Sequence, residues 1–243
     1  MADDAASPPL TVAIWRGDAR KGSLVSYRVP NRPGQTILDV LTWVQRTAEP
    51  GLAYRFACRV GMCGSCALTI NGLPRWACRT RAEAVARDNR IEIRPLRHFP
   101  VIRDLVADVE AFFERWQRAF GRFGPSGPEA TDFARIAPDD PDRRAADAAI
   151  ECIGCGICFA ACDTVGANPD YLGPAALNRA WAAHNDSRDD RRAHLRAAVQ
   201  NGGAHTCHSQ GSCRRVCPVG RDLTRSIAGL KRKSLTAALK GKL

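Results

Sequence analysis

The residues best able to do chemistry in this chain are its eleven cysteines, which fall into three tight groups. The first reads Cys58-Arg-Val-Gly-Met-Cys63-Gly-Ser-Cys66, with Cys78 beyond an Asn71-Gly72 turn. The second reads Cys152-Ile-Gly-Cys155-Gly-Ile-Cys158-Phe-Ala-Ala-Cys162, and the third Cys207-His-Ser-Gln210-Gly-Ser-Cys213-Arg-Arg-Val-Cys217-Pro218. An odd total argues against a complete disulfide set. Repeated short spacings argue against scattered buried cysteines acting as small hydrophobes. Thiolates spaced in this way ligate metal.

The first group has the plant-type C-x4-C-x2-C…C spacing of a [2Fe-2S] site. Zinc is the competing ligand, but it favours paired C-x2-C knuckles over a C-x4-C loop. Gly61 and Gly64 allow the positive φ values that turn backbone N–H groups toward sulfur. The second group has the C-x2-C-x2-C-x3-C spacing of bacterial two-cluster ferredoxins, in which the fourth cysteine crosses to the other cluster. The third group repeats that motif with Gln210 in a ligand position. Crossing the fourth ligands assigns Cys152, Cys155, Cys158 and Cys217 to a [4Fe-4S] cluster. It leaves Cys162, Cys207 and Cys213 for a [3Fe-4S] cluster, so all eleven cysteines are used.

These ligands need loops held by regular elements. Thr11–Trp15, Ser23–Val29 and Ile91–Arg94 are strand candidates, and Asn71-Gly72 predicts a hairpin turn between Ala67–Ile70 and Leu73. Thr36 followed by Ile37, Leu38, Val40, Leu41 and Val44 predicts a capped amphipathic helix stopping at Glu49-Pro50-Gly51. From Val101 the pattern changes: Leu105, Val109, Phe112, Phe113, Trp116 and Phe120 recur at helical steps and predict a core-facing stripe. Gly121 to Pro128 reads as a loop. Further helices are expected over 175–185, opened by Pro174, over 189–200, ending at Gly202-Gly203, and over 222–239. The expected fold is α+β: a plant-type ferredoxin (β-grasp) domain over 1–104, then an all-α two-cluster domain over 105–243.

The formal charge is +11. Three oxidised clusters with their thiolates would bring the loaded chain to about +5. The remaining excess suits an acidic partner, an anionic membrane surface or simply a solvated face. Nothing aromatic interleaves Arg214-Arg215 or Lys231-Arg-Lys233, so a nucleic-acid surface is not expected. The chain has no run of eighteen apolar residues. Its N-terminus carries Asp3 and Asp4 where a secretory signal would carry lysine or arginine. A soluble chain, not exported by that route, is expected.

The cysteine groups, together with Ala77-Cys78-Arg-Thr80, Asn168-Pro-Asp-Tyr-Leu-Gly-Pro174 and Asn185-Asp-Ser-Arg-Asp189, closely resemble the iron-sulfur subunits of succinate dehydrogenase and fumarate reductase, the quinone-linked complex II family. The likeness spans nearly the whole chain. It implies a flavoprotein partner with covalent FAD that interconverts succinate and fumarate. It also implies membrane anchor subunits, in some members with haem b, and a place on the cytoplasmic face of the plasma membrane. The dicarboxylate site would lie on the flavoprotein, so this chain is expected to hold no catalytic residue of its own. The iron-sulfur part of another flavin dehydrogenase is the alternative, although such a subunit would not be expected to carry all three groups in this order. Cys-Gly-Ile-Cys at 155–158 and the Asn168–Pro174 segment look more like fumarate reductase subunits.

The resemblance also places a quinone beside the three-iron cluster, near His208 and Lys231, with Thr164 and Gln210 at the same pocket. Many ubiquinone-using members read Cys-Pro-Ser followed shortly by a tryptophan, where this chain reads Cys162-Asp163-Thr164-Val-Gly-Ala167. That departure removes a ring-facing wall and a tryptophan hydrogen bond, and it favours menaquinone or a pocket completed by the anchor.

Overall fold

The computed structural model describes residues 8–125, 136–189 and 191–243. The acidic N-terminal segment up to Ser7 and the end of the 121–128 loop lie outside the described residues. The chain divides into two compact units, one running through Val109 and including Cys155–Ile157, the other made of Glu110–Gly154 and Cys158–Leu243.

The first unit is built on five strands, β1 (Leu10–Gly17), β2 (Gly22–Val29), β3 (Ala67–Ile70), β4 (Leu73–Trp76) and β5 (Arg90–Arg94), in the order β2-β1-β5-β3-β4. β1 pairs antiparallel with β2 and parallel with β5, so the sheet is mixed. On β1, Leu10, Val12 and Ile14 alternate into the core with Ile91 and Ile93 of β5. Asn71 (φ 47°) and Gly72 (φ 79°) both take left-handed conformations, which lets a two-residue turn pair Ile70 with Leu73. Helix α1 (Ile37–Thr47) covers the core with Ile37, Leu38, Val40, Leu41 and Val44. It begins at a Thr36–Asp39 capping box and ends at Thr47, before Glu49-Pro50-Gly51. A short helix α2 (Ala82–Val85) leads into β5.

The expected helical stripe from Leu105 to Phe120 is only partly helical. Val101–Arg103 (β6) and Val106–Ala107 (β7) form a two-stranded ribbon, so a boundary after residue 104 would fall in the turn between them. Leu105, 4% exposed, belongs to the core of the first unit. The cause is Asp104, which sits at φ 49° and is held by groups distant in sequence: its carboxylate accepts from the backbone N–H groups of Ala53 (2.9 Å) and Gly17 (3.1 Å) and from the side chain of Arg16 at Nε (3.0 Å). The helix α3 runs only from Glu110 to Arg118. It buries Phe112 against Phe159, while Phe113 is largely exposed.

The second unit is helical, as expected. It contains α3, α4 (Pro141–Ile150), most of α5 (Ile157–Ala160), α6 (Asp163–Ala167), α7 (Pro174–His184), α8 (Arg191–Val199), a 3₁₀ turn (Ala204–Thr206), α9 (Ser212–Val216) and α10 (Leu223–Leu239). α7 is the central helix, with Ala175, Ala176, Leu177, Ala180 and Ala182 buried. Its Asn178 donates to Ala149 O at the end of α4 (2.9 Å) and accepts from Ser226 Oγ of α10 (2.8 Å), which satisfies a buried amide and ties three helices. Gly229 of α10 lies flat against Trp181, where a Cβ would sit 2.5 Å from the ring. The missing Cβ of Gly229 thus leaves room for the Trp181 ring between α7 and α10.

Candidate metal centres

Each cysteine loop turns backbone N–H groups toward sulfur. In the first group Met62 N and Cys63 N donate to the Cys58 sulfur at 3.2 and 3.3 Å. Arg59, Gly61 and Gly64 take positive φ to make that turn. Cys78 returns beside Cys66: Ala77 N donates to Cys66 O (3.0 Å), and Cys78 N approaches the Cys66 sulfur at 3.5 Å. Two environments result. Backbone N–H groups and Ser65 around exposed Cys63 lower its thiol to about 6, whereas burial pushes Cys66 up to about 12. The N-terminus of α1 holds the returning strand, because Ile37 N and Leu38 N donate to Thr80 O and Ala77 O on either side of Cys78.

In the second unit the sulfurs sort into two neighbourhoods. Burial raises the Cys152 thiol, and Cys217 is its thiol neighbour, with the Gly154 N–H, Arg179 and Arg221 acting in the opposite direction. Arg221 N donates to the Cys217 sulfur (3.2 Å). Cys158 is buried, and Cys155 sits on the turn that groups with the first unit, where Gly156 (φ 76°) lies against Phe99. Separately, Cys162, Cys207 and Cys213 are mutual electrostatic neighbours. Burial raises Cys162 and pushes Cys213 up to about 11. Cys162 caps α6, where the N–H groups of Thr164 and Val165 and the Thr164 hydroxyl face its sulfur. Ser209 N donates to the Cys207 sulfur (3.3 Å) from a left-handed turn (φ 60°), and Thr224 Oγ1 lies 3.9 Å from the Cys213 sulfur.

Burial penalises the thiolates that ligation requires, so charge-bearing metal and the converging N–H groups must offset it. The residues around Cys162, Cys207 and Cys213 fit a sulfur-rich cluster in one further respect. Tyr171 is 1% exposed, yet its hydroxyl has no nitrogen or oxygen partner and faces these three sulfurs. Among the described residues no group of three His, Cys, Asp or Glu side chains is already drawn together around a single metal-ion position.

The four residues assigned to a quinone pocket are placed differently from one another. Thr164 is buried at the Cys162 sulfur, while His208 and Gln210 are exposed. The Lys231 ammonium donates to Cys207 O (2.6 Å), next to His208. A hollow of about 610 Å3 in this unit, bordered by Arg144, Trp181, Arg221, Arg225 and Arg232, touches none of the four. Sequence spacing did not single out Tyr171, Ser209 or Thr224 as neighbours of sulfur. Tyr171 and Thr224 lie outside any cysteine motif, and only the packing brings them to it.

Two family models match the chain: a 2Fe-2S iron-sulfur cluster binding domain over residues 11–114 and a 4Fe-4S dicluster domain over 148–221. The fumarate reductase iron-sulfur subunit of Haemophilus influenzae is 33% identical over 87% of this chain and 88% of its own length. That of Mycobacterium tuberculosis is 35% identical over 88% and 87%. A chain of the solved Mycobacterium smegmatis Sdh1 complex in the apo form superposes with a TM-score of 0.86. It is 30% identical, and the match covers 95% of this chain and 97% of that one.

Proposed function

Because this chain belongs to the family of iron-sulfur subunits of fumarate reductase and succinate dehydrogenase, we propose that it carries electrons between a flavoprotein with covalent FAD and a membrane quinone. Each bound cluster supplies a one-electron carrier, which lets a two-electron flavin exchange electrons singly with a two-electron quinone. Cys58, Cys63, Cys66 and Cys78 would hold the [2Fe-2S] group. Cys152, Cys155, Cys158 and Cys217 would hold the [4Fe-4S] group, and Cys162, Cys207 and Cys213 the [3Fe-4S] group. The observation that carries this reading is the sorting of sulfurs across the two motifs, Cys152 with Cys217 and Cys162 with Cys207 and Cys213. Crossed fourth ligands require that arrangement.

The chain's own part is to hold, orient and shield. The N–H groups of Met62, Cys63, Thr164, Ser209 and Arg221 stabilise charge on the ligand sulfurs, and burial of Cys66, Cys158 and Cys213 keeps water away. The dicarboxylate is handled on the flavoprotein, and the [2Fe-2S] unit faces it. His208 and Lys231 serve the quinone end, where membrane anchor subunits with or without haem b complete the site beside Thr164 and Gln210. Menaquinone suits the Cys162-Asp163-Thr164 departure. No described helix is long and apolar enough to cross a membrane, so attachment to the cytoplasmic face of the plasma membrane would come through the anchor.

The test is iron and sulfide analysis with electron paramagnetic resonance on the assembled complex. About nine irons per chain and a three-iron signal in the oxidised protein are expected. Gln210→Cys should supply the missing thiolate and convert that signal. A parent protein with about ten irons and no three-iron signal would refute the ligand sets.

A further inference from the structure

We infer that Tyr171 is a positioning residue whose phenol O–H donates a hydrogen bond to the sulfur of Cys207 in the loaded site and so raises the reduction potential of the cluster held by Cys162, Cys207 and Cys213. The inference rests on the three-iron reading of those cysteines.

A buried hydroxyl without a partner is destabilising, so such groups rarely persist without a use. Tyr171 is among the largest fully buried side chains of the molecule, and no nitrogen or oxygen satisfies its hydroxyl. Its electrostatic neighbours are Cys207, Cys162 and Cys213, Cys207 foremost. Its backbone is fixed on every side. Tyr171 N donates to Asn168 O (3.2 Å), and Tyr171 O accepts from Arg115 Nε (3.3 Å). Arg115 also reaches Pro169 O (3.0 Å), and Leu172 N donates to Gly202 O (2.8 Å). Gly202 cannot be replaced without a clash, since a Cβ there would sit 1.9 Å from Asp170 O. The ring therefore has little freedom to turn its hydroxyl elsewhere.

The chemistry follows from charge. Thiolate ligands carry more negative charge when the cluster is reduced, and a donor to charged sulfur binds the reduced state more strongly than the oxidised one. Ser209 N and the Thr164 groups do the same from the loops. Tyr171, like Thr224 beside Cys213, offers a side-chain hydroxyl from outside the cysteine motifs, and its removal leaves the backbone untouched.

The experiment is Tyr171→Phe in the assembled complex, with a potentiometric titration followed by the three-iron signal. The midpoint should move to more negative potential, with about a five- to tenfold smaller reduced-to-oxidised ratio at a fixed potential, while the [2Fe-2S] and [4Fe-4S] midpoints stay in place. An unmoved midpoint with an intact cluster overturns the inference, and so does an equal shift of all three. Should the variant fail to assemble, the parent protein decides. Its reduced-minus-oxidised infrared spectrum, taken with and without ring-deuterated tyrosine across the three-iron wave, should contain a tyrosine C–O band. Absence of that band overturns the inference. Absence of any three-iron signal in the parent would instead refute the ligand assignment on which it rests.

Discussion

Asp104 shows how a single side chain can decide a local fold. Its carboxylate is buried, and burial alone would raise its pKa. The N–H of Ala53, the Arg16 guanidinium and the N–H of Gly17 overcome that and hold it below the ordinary carboxylate range. Arg16 is also paired with Glu49 at 2.9 Å and donates to Tyr27 Oη at 3.0 Å, and Arg103 lies 3.8 Å from Asp104. A carboxylate with a depressed folded pKa stabilises the fold fully above its unfolded value near 4, and the stabilisation is lost as pH falls through the folded value. Asp104→Asn is therefore expected to lower stability by about 2 kcal/mol at neutral pH, the loss shrinking below about pH 4. Urea midpoints of the full chain and the variant between pH 3 and 7 check this; a pH-independent gap would contradict it. The cysteines were legible because their ligand geometry is written in local spacing. Asp104 and Tyr171 were not, because every partner that gives them meaning comes from a distant part of the chain.

At the scale of elements, α1 does more than roof the sheet. Its capping box, Asp39 N to Thr36 Oγ1 (3.2 Å) and Thr36 N to Asp39 Oδ2 (3.0 Å), fixes the first turn whose next two N–H groups grip the Cys78 loop. Thr36→Ala removes one half of the box and should cost about 1 kcal/mol. Part of that loss should appear at Cys78, as faster bleaching of the [2Fe-2S] visible absorbance under a chelator, with the other clusters unaffected. Equal bleaching rates in parent and variant would show that α1 does not support the ligand. The capped helix, the Asn71-Gly72 hairpin and the Pro174 helix start could be read in advance because caps and turns are local. The 105–120 stripe was misread for the opposite reason. Leu105 and Val109 match a helical period, but the ribbon at Val101–Ala107 is held by Asp104 and by pairing that periodicity cannot register.

For the molecule as a whole, the proposed crossed ligand sets would tie the 152–162 segment to the 207–217 segment, and cluster binding would then be linked to folding of the helical unit. In that unit Lys231 of α10 lies against Cys207 O, within the loop proposed to hold a three-iron ligand, and His208 is exposed beside it. Lys231 thus has a structural role, and its ammonium still has further protons to donate. A quinone taking up electrons develops negative charge on oxygen, which an ammonium stabilises and an imidazole can protonate near neutral pH. A purely structural Lys231 would, on removal, damage the Cys207 loop and slow every electron path through it. Two assays separate these roles in the assembled complex: succinate oxidation by an artificial dye that draws electrons ahead of the quinone, and succinate oxidation by a menaquinone analogue. His208→Ala and Lys231→Ala should each lower quinone-linked turnover by about tenfold or more while dye-linked turnover holds. Lys231→Arg should recover part of the loss by keeping the charge and the donor to Cys207 O. Equal losses in both assays would assign Lys231 to the loop alone, and unchanged quinone turnover in both alanine variants would move the quinone away from this end of α10.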